Sequence, residues 1–286
     1  MRIISLVALL SVGLAGAEKV TFAPLDAEKD PIVAETVSLG DGRLATVAVV
    51  GCDTTKAVSA AGASLKVIAL DPVSRLAVLE SESTEEAPAR GSALGLMPGD
   101  AVYLPDQQRA SRIVRWEDTV QGKTLPIALL RVNHPFEEPP APGTPLRNAE
   151  GEVVAICHQV APRGYGNATY ALPVEVIERV LHDLKSFGEI SPCWLGVVVN
   201  AADPVLSIEM VRDKSPGAAA GIQKGDILLS VGPRRVSSYA QARDAFYYLV
   251  AGRATSMTLL RGTKRIDVKV IPEVHPLVAA QREAAQ

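Results

Sequence analysis

The run SPGAAAGIQKGDILLSVGPRRV, at 215–236, constrains the fold of this chain more than any other segment. Gly221 and Gly225 stand where tight turns need a positive φ, which glycine adopts without a steric penalty. Asp226 follows directly, and its carboxylate can accept backbone N–H groups of the turn. An apolar stretch then leads to another turn at Gly232. The run therefore predicts turn, strand and turn, in which the glycines and Asp226 build the backbone and do not contact a ligand.

The chain before this run is rich in short apolar stretches that are broken by Gly, Pro and Asp, with no long helical period. Many short strands at close spacing are typical of a barrel or a sandwich. The stretches that we predict as strands are 44–50, 65–70, 76–79, 127–132 and 153–156.

The period changes after Pro173, where VEVIERVLHDLKSFG places apolar residues three and four apart. Pro173 stands at the first turn and Gly188 follows the last, so this stretch predicts a helix. A second unit follows, with a predicted helix at 239–250 and strands at 257–260 and 266–271. The domain organisation that we predict is a signal peptide at 1–17, a β domain at 18–172, a connecting helix and linker at 173–192, a second domain at 193–275 and a tail at 276–286.

The first residues, MRIISLVALLSVGLAGA, have the layout of a secretory signal peptide. Arg2 precedes an apolar run, and small residues end it at Ala17, which fits an A-x-A cleavage site. The apolar run is shorter than the roughly 20 residues that span a bilayer, which argues against a transmembrane anchor. We therefore predict an exported protein, periplasmic or extracellular, with no membrane span after signal removal.

Charge and cysteine content exclude several kinds of partner. The net charge is −3, so neither nucleic acid nor an anionic membrane is predicted to bind. The three cysteines, Cys52, Cys157 and Cys193, match no zinc spacing, and we predict no metal and no cofactor. In an oxidising compartment, two of the cysteines could form a disulfide and leave one free thiol, or all three could stay unpaired.

The run at 215–236, with the predicted helix and strands after it, resembles the PDZ domain family in the permuted form of bacterial exported proteases. The residues that match the family pattern are Ser215, Pro216, Ala220, Gly221, Ile222, Gly225, Asp226 and Ile227. Gly232-Pro233 stands where the family has Asn-Gly. The resemblance implies an α+β domain that takes a peptide as an added strand and holds its C-terminal carboxylate with backbone N–H groups.

The resemblance also implies where the peptide binds. The carboxylate loop of the family is an aromatic-Leu-Gly-apolar run, which Trp194-Leu195-Gly196-Val197 matches. The amides of the last three residues are expected to face the carboxylate, and the strand that follows would pair with the peptide. The predicted peptide-binding residues are Trp194, Leu195, Gly196, Val197, Val198, Val199 and Phe246, the last closing the groove from the helix. A WLGV run that is only a buried strand is the alternative.

The first domain resembles the trypsin-like domain of HtrA/Do-type serine proteases. The matching stretches are DPVSRLAVLE at 71–80, LMPGDAVYL at 96–104, GTPLRNAEGEVVAICHQV at 143–160 and YALPVEVIERVL at 170–181. They come in the family's order and lead into the PDZ match. The resemblance implies a mainly β fold, in which a trypsin-like double β-barrel, degenerate in its chemistry, precedes the PDZ domain.

The catalytic residues of the family do not carry over. Its His, Asp and Ser positions fall on Gly62, Arg75 and Pro142, which supply no imidazole, carboxylate or hydroxyl. Pro140 falls on the first glycine of the family's nucleophile loop. Proline has no N–H, so neither Pro140 nor Pro142 can donate to an oxyanion hole. We therefore predict no catalytic residues and a chain that is not an enzyme.

The function that we predict is that of an exported, non-catalytic HtrA-like pseudoprotease. It would bind C-terminal or extended peptides of extracytoplasmic proteins, as a homo-oligomer or together with HtrA-like proteases. One alternative is an active serine-type endopeptidase with a rearranged site, which needs a Ser or Thr within hydrogen-bond reach of a His. Another is a structural module whose PDZ groove is closed by its own tail, at 276–286.

Overall fold

The structure is a computed structural model that describes residues 18–105, 107–120, 122–161, 166–202 and 205–285. The predicted signal peptide at 1–17 lies outside these residues. No helix within them is both long and apolar enough to cross a membrane.

Seven antiparallel strands form the first sheet, in the order β2-β1-β5-β6-β7-β4-β3. They are β1 (Lys19–Pro24), β2 (Ile32–Glu35), β3 (Val37–Gly40), β4 (Arg43–Val47), β5 (Cys52–Ser59), β6 (Ser64–Leu70) and β7 (Leu76–Glu80). The two outer strands, β2 and β3, are separated in the chain by Thr36 alone, so the sheet curls back on itself as a barrel. Apolar side chains such as Phe22, Leu44 and Leu79 fill its interior.

Six antiparallel strands form a second barrel, in the order β11-β12-β13-β10-β9-β8. They are β8 (Ala101–Val102), β9 (Ser111–Val120), β10 (Lys123–Asn133), β11 (Pro145–Arg147), β12 (Val153–Val160) and β13 (Ala168–Pro173). Tyr103 and Arg147 exchange two backbone hydrogen bonds, of 2.8 and 2.9 Å. These bonds join the two ends of the sheet and close the barrel around Leu130 and Leu146.

A helix, α1 (Glu175–Phe187), covers the apolar cluster that lies where the two barrels meet. Ile177 and Val180 of α1 pack there with side chains of both barrels, among them Leu76 and Tyr170. The helix ends at Gly188, whose φ of 74° breaks the helical backbone. Its position agrees with the prediction from Pro173 and Gly188.

The C-terminal unit has three small sheets, in the orders β14-β21, β15-β16 and β18-β17-β19-β20. Its elements are β14 (Cys193–Trp194), β15 (Val197–Val199), β16 (Ile208–Val211), α2 (Pro216–Ala219), β17 (Ile227–Val231), β18 (Arg234–Arg235), α3 (Tyr239–Tyr247), β19 (Thr255–Arg261), β20 (Lys264–Val270), β21 (Glu273–Val274) and α4 (Pro276–Ala285). Ile208, Leu228 and Met257 lie at the centre of its core.

Two details of this unit compare directly with the sequence predictions. Asp226 accepts the N–H of Gln223 (2.8 Å), as the turn pattern predicted, and also two hydrogen bonds from Arg261 (2.7 and 2.8 Å). The predicted helix at 239–250 ends earlier, at Tyr247. It stops because the N–H of Leu249 bonds the carbonyl of Phe246, three residues back, in a tight turn (3.2 Å).

Helix α3 also joins the two halves of the molecule. The carboxylate of Asp244 accepts the backbone N–H of Ala128 in β10 (2.8 Å). The hydroxyl of Tyr247 donates to the carboxylate of Asp71, before β7 (2.5 Å). The guanidinium of Arg179 lies 4.5 Å from the centre of the Tyr247 ring. One face of α3 is therefore fixed to the barrels and to α1.

Candidate functional site

Strand β15 has one free edge. It pairs with β16 on one side only, and no other strand of the described residues pairs with it. The N–H of Arg212 bonds the carbonyl of Gly196 (2.7 Å), and Val197 lies opposite Val211. In an antiparallel ladder, a hydrogen bond between the residues that flank two opposed residues shows that the opposed pair itself is not hydrogen-bonded. Val197 and Val211 are such a pair, so the N–H and C=O of Val197 point away from β16. These two groups can bond an added strand.

The loop before β15 is shaped by a glycine. Gly196 has a φ of +70°, and a Cβ at this position would lie 2.2 Å from the Cβ of Ser215. Ser215 in turn caps α2, because its hydroxyl accepts the N–H of Ala218 (3.2 Å). The carbonyl of Leu195 accepts the N–H of Gly217 (2.8 Å). Leu195-Gly196 is therefore a bend between β14 and β15 that is held against the start of α2.

The structure brings together most of the predicted peptide-binding residues, but not all of them. Leu195 and Val199 are buried in the core of this unit, and Val197 and Phe246 pack against the same core. Val198 lies on the other face of β15, where its side chain is 37% exposed. Trp194 belongs to a different sheet and lies opposite Glu273. Four of the predicted residues, Leu195, Val197, Val199 and Phe246, thus share one apolar core, and Trp194 and Val198 do not belong to it.

The tail lies against the connecting helix. Arg282 of α4 donates to the carboxylate of Glu189 (2.8 Å), and its guanidinium lies 5.0 Å from the centre of the Phe187 ring. These contacts hold the described part of the tail at the end of α1. They give no support to a groove that is closed by residues 276–286.

The three triad positions of the first domain are not joined. Gly62 lies in the exposed turn between β5 and β6, with a φ of +82°. Arg75 donates from Nε to the carbonyl of Ala48 (2.8 Å), and the carbonyl of Pro142 accepts the N–H of Glu35 (2.7 Å). Within the described ranges, no hydrogen bond or ion pair connects any two of Gly62, Arg75 and Pro142.

The loop that carries Pro142 is packed tightly onto the first barrel. A Cβ on Gly143 would lie 1.8 Å from the carbonyl oxygen of Glu35. The hydroxyl of Thr144 is turned back onto its own loop, where it donates to the carbonyl of Ala141 (2.8 Å). A cavity of about 540 Å³ lies beside the loop, and Glu35, Phe136 and Thr144 are among the residues that line it.

A buried chain of polar groups, which the sequence analysis missed, lies inside the second barrel. The imidazole of His134 is bonded to the hydroxyl of Ser111 through Nδ1 and to that of Thr169 through Nε2, at 2.8 Å each. The Thr169 hydroxyl also lies 3.8 Å from Sγ of Cys157. These residues come from β9, β10, β12 and β13 or their ends, which are neighbours only in the folded sheet. No spacing in the sequence could reveal them.

Burial sets the chemistry of this chain of groups. It lowers the pKa of His134 to about 4 and raises the pKa of the Cys157 thiol to about 12, so the imidazole and the thiol are both neutral at pH 7. Ser111 and Thr169 are fully buried. All three cysteines are unpaired in the structure. The arrangement has the imidazole and hydroxyl of a nucleophilic pair, but the second nitrogen faces a hydroxyl instead of a carboxylate.

The fold and the free strand edge together define the class, a trypsin-like double barrel followed by a PDZ domain. Residues 193–271 match the family model for the PDZ domain. The chain is similar to the solved structure "HtrA-type protease AlgW with tripeptide", with a TM-score of 0.58 and 18% identity over 91% of this chain and 94% of that one. For "HtrA-type protease AlgW with decapeptide" the TM-score is 0.55, with 19% identity over 92% and 96%.

Curated relatives carry a consistent name. A "Probable periplasmic serine endoprotease DegP-like" of Pseudomonas fluorescens is 29% identical over 174 residues, which cover 53% of this chain and 36% of that protein. A protein of the same name from Pseudomonas fulva is 27% identical over 230 residues, covering 72% and 47%. The chain spans less than half the length of these relatives. The predicted resemblance to HtrA-type, trypsin-like proteases and the predicted mainly β fold with a PDZ domain are confirmed. Of the two predicted locations, periplasmic and extracellular, the names of these relatives support the periplasmic one.

One prediction is wrong. The chain was expected not to be an enzyme, whereas these relatives are named serine endoproteases and the similar structures are those of proteases. The expectation rested on Gly62, Arg75 and Pro142 at the familiar triad positions. The residues at those positions do not exclude a hydroxyl–imidazole pair elsewhere in the fold. Ser111 and His134 form such a hydrogen-bonded pair.

Proposed function

We propose that this chain is an HtrA-type periplasmic protein whose PDZ domain, at 193–275, captures the C-termini of extended peptides. The observation that carries the proposal is the free edge of β15, where the N–H and C=O of Val197 point away from β16 directly after the Leu195-Gly196 bend. A peptide would add to this edge as an antiparallel strand.

The bend would hold the terminal carboxylate. The amides of Leu195, Gly196 and Val197 are the donors, and the missing side chain of Gly196 leaves room for a close approach. Hydrogen bonds from N–H groups to a carboxylate are charge-assisted, so they are stronger than those to a neutral carbonyl. Side chains of the peptide would enter the groove between β15 and Phe246. Assembly as a homo-oligomer or with HtrA-like proteases stays a prediction.

The test is fluorescence polarisation with residues 18–286 and the probe fluorescein-Ser-Ala-Ala-Leu-Val. We expect the free acid to bind at least about tenfold more tightly than the same peptide with a C-terminal amide, because only the acid offers a charged acceptor. The substitution Gly196→Ala should abolish this difference. Gly221→Ala is its control, since Gly221 also has a positive φ (+79°) but a Cβ there meets nothing within 4 Å. Equal binding of acid and amide would contradict the proposal.

Serine-type endopeptidase activity is the second candidate function. It is supported by the names of the relatives and by the 2.8 Å contact between Ser111 and His134, the hydroxyl and imidazole that such activity requires. Because Ser111 is fully buried, a substrate could reach it only after the strands around it open.

Casein cleavage by residues 18–286 tests this candidate. We expect Ser111→Ala and His134→Gln to remove the activity, and Ser38→Ala, another buried serine, to keep it. Cleavage that survives both substitutions would move the site elsewhere, with Thr144 as the next residue to replace. No cleavage by the unsubstituted protein would count against the candidate.

A further inference from the structure

Two apolar side chains on the outer face of the β15–β16 pair are exposed to solvent. Val198 is 37% exposed and Met210 is 41% exposed, and the two lie directly opposite each other in the ladder. They line a hollow of about 500 Å³ together with Glu209, Val211 and Lys224. The two charged residues of this hollow have opposite signs, so it favours neither an anion nor a cation.

The register of an added strand determines what would reach this hollow. Side chains of paired residues in an antiparallel sheet lie on the same face, and successive residues alternate between faces. With the carboxylate at the bend, the last residue of the peptide lies beside Val197 and the third from last beside Val199. Their side chains point toward the core and Phe246. The penultimate residue lies opposite Val198, and its side chain points outward.

We propose that the penultimate residue of a bound C-terminus is a large apolar residue, whose side chain packs on the exposed pair Val198 and Met210. This inference rests on the proposed function of the groove and names the peptide class that it selects. Val198 lies on β15 and Met210 lies beyond it on β16, as seen from the free edge. A side chain of an added strand would therefore meet Val198 first, and only a long one would extend across it to Met210. Burial of an apolar side chain there would stabilise the complex. A polar side chain would lose contact with water and find no hydrogen-bond partner on Val198 or Met210.

The experiment compares four peptides, fluorescein-Ser-Ala-Ala-Xaa-Val, with Phe, Leu, Ser or Asp at the penultimate position. We expect the Phe and Leu peptides to bind residues 18–286 about five- to tenfold more tightly than the Ser peptide, in proportion to the apolar surface that they bury. The Asp peptide should bind no more tightly than the Ser peptide.

Two substitutions test whether the preference for an apolar penultimate residue arises at the hollow. Val198→Thr and Met210→Ser should reduce the ratio of the affinities for the Phe and Leu peptides to the affinity for the Ser peptide. Val58→Thr is the matched control, because Val58 lies on a strand of the first barrel and is also 37% exposed. Met97→Ser, at another exposed methionine, is the control for Met210→Ser.

The outcomes separate this inference from the function on which it rests. Equal affinities for all four peptides would overturn the apolar selection and leave C-terminal capture standing. A preference that survives both substitutions would also overturn it, because the selecting residues would then lie elsewhere. If none of the four peptides binds, both the selection and the capture are wrong.

Discussion

A single imidazole, that of His134, lies between two hydroxyl groups and is only 7% exposed. Its pKa is lowered to about 4 by burial, compared with 6.5 for the free side chain. His158 is shifted in the same direction, also to about 4 and chiefly by burial. In the unfolded chain both residues recover ordinary values, so unfolding near pH 5 is coupled to proton uptake.

The free energy of unfolding should therefore fall as the pH is lowered from about 6.5 toward 4. In this window the unfolded state binds more protons than the folded state, and His134 alone accounts for a loss of up to about 3 kcal/mol. Between pH 7.5 and pH 5, we expect the free energy of unfolding, measured with urea, to fall by about 2 kcal/mol less in His134→Gln than in the parent protein. His275→Gln is the control, and an unchanged pH dependence in His134→Gln would contradict the prediction.

Residues whose roles depend on their chain neighbours could be predicted from the sequence. Asp226 accepts an N–H three residues back, and Gly221 and Gly225 have the positive φ that the turn pattern predicted. The chain of Ser111, His134 and Thr169 could not be predicted, because the order of strands in the second barrel alone makes them neighbours.

Helix α1 carries a buried ion pair on the face that periodicity marks as polar. Arg179 is 8% exposed, and its guanidinium lies 3.5 Å from the carboxylate of the fully buried Asp183. Asp183 also accepts the N–H of Ser191 (3.0 Å). Burial raises the pKa of Asp183 even though both contacts oppose the shift. The start and end of α1 were predictable from Pro173 and Gly188, but the burial of this face was not, because Tyr247 of the distant α3 covers it.

Removing the carboxylate of this buried pair should lower the free energy of unfolding far more than removing an exposed carboxylate. We expect Asp183→Ala to lower the free energy of unfolding by about 3–5 kcal/mol, since it leaves Arg179 buried without its charge partner. Glu189→Ala breaks the pair with Arg282, in which Glu189 is 58% exposed, and should cost less than about 1 kcal/mol. Urea unfolding of the two variants measures the difference, and similar losses would refute the prediction.

At the scale of the whole molecule, α3 both borders the proposed groove and binds the barrels. Phe246 packs against the PDZ core, while the next residue, Tyr247, reaches Asp71 and Arg179. Adjacent residues of a helix point in different directions, so one short helix serves the two units. The sequence predicted two domains and a helix in the second, but it held no sign of this contact between residues 176 positions apart.

We therefore expect the two units to unfold together. Calorimetry of residues 18–286 should show one transition, and Tyr247→Ala should split it in two, because the substitution removes the hydrogen bond to Asp71 and the ring under Arg179. Tyr239→Ala, at an exposed tyrosine of the same helix, should keep the single transition. A single transition in the Tyr247 variant would show that other contacts, such as that of Asp244 with Ala128, are enough to couple the units.

The brevity of β15 has a consequence for solubility. An unpaired strand edge is a template on which other chains can polymerise, and proteins that keep such edges need some protection against aggregation. Here the edge is only three residues long and begins at the Gly196 bend, so it can hold the end of one ligand but offers too few backbone groups to seed a growing intermolecular sheet. Shortness thus limits self-association at this edge.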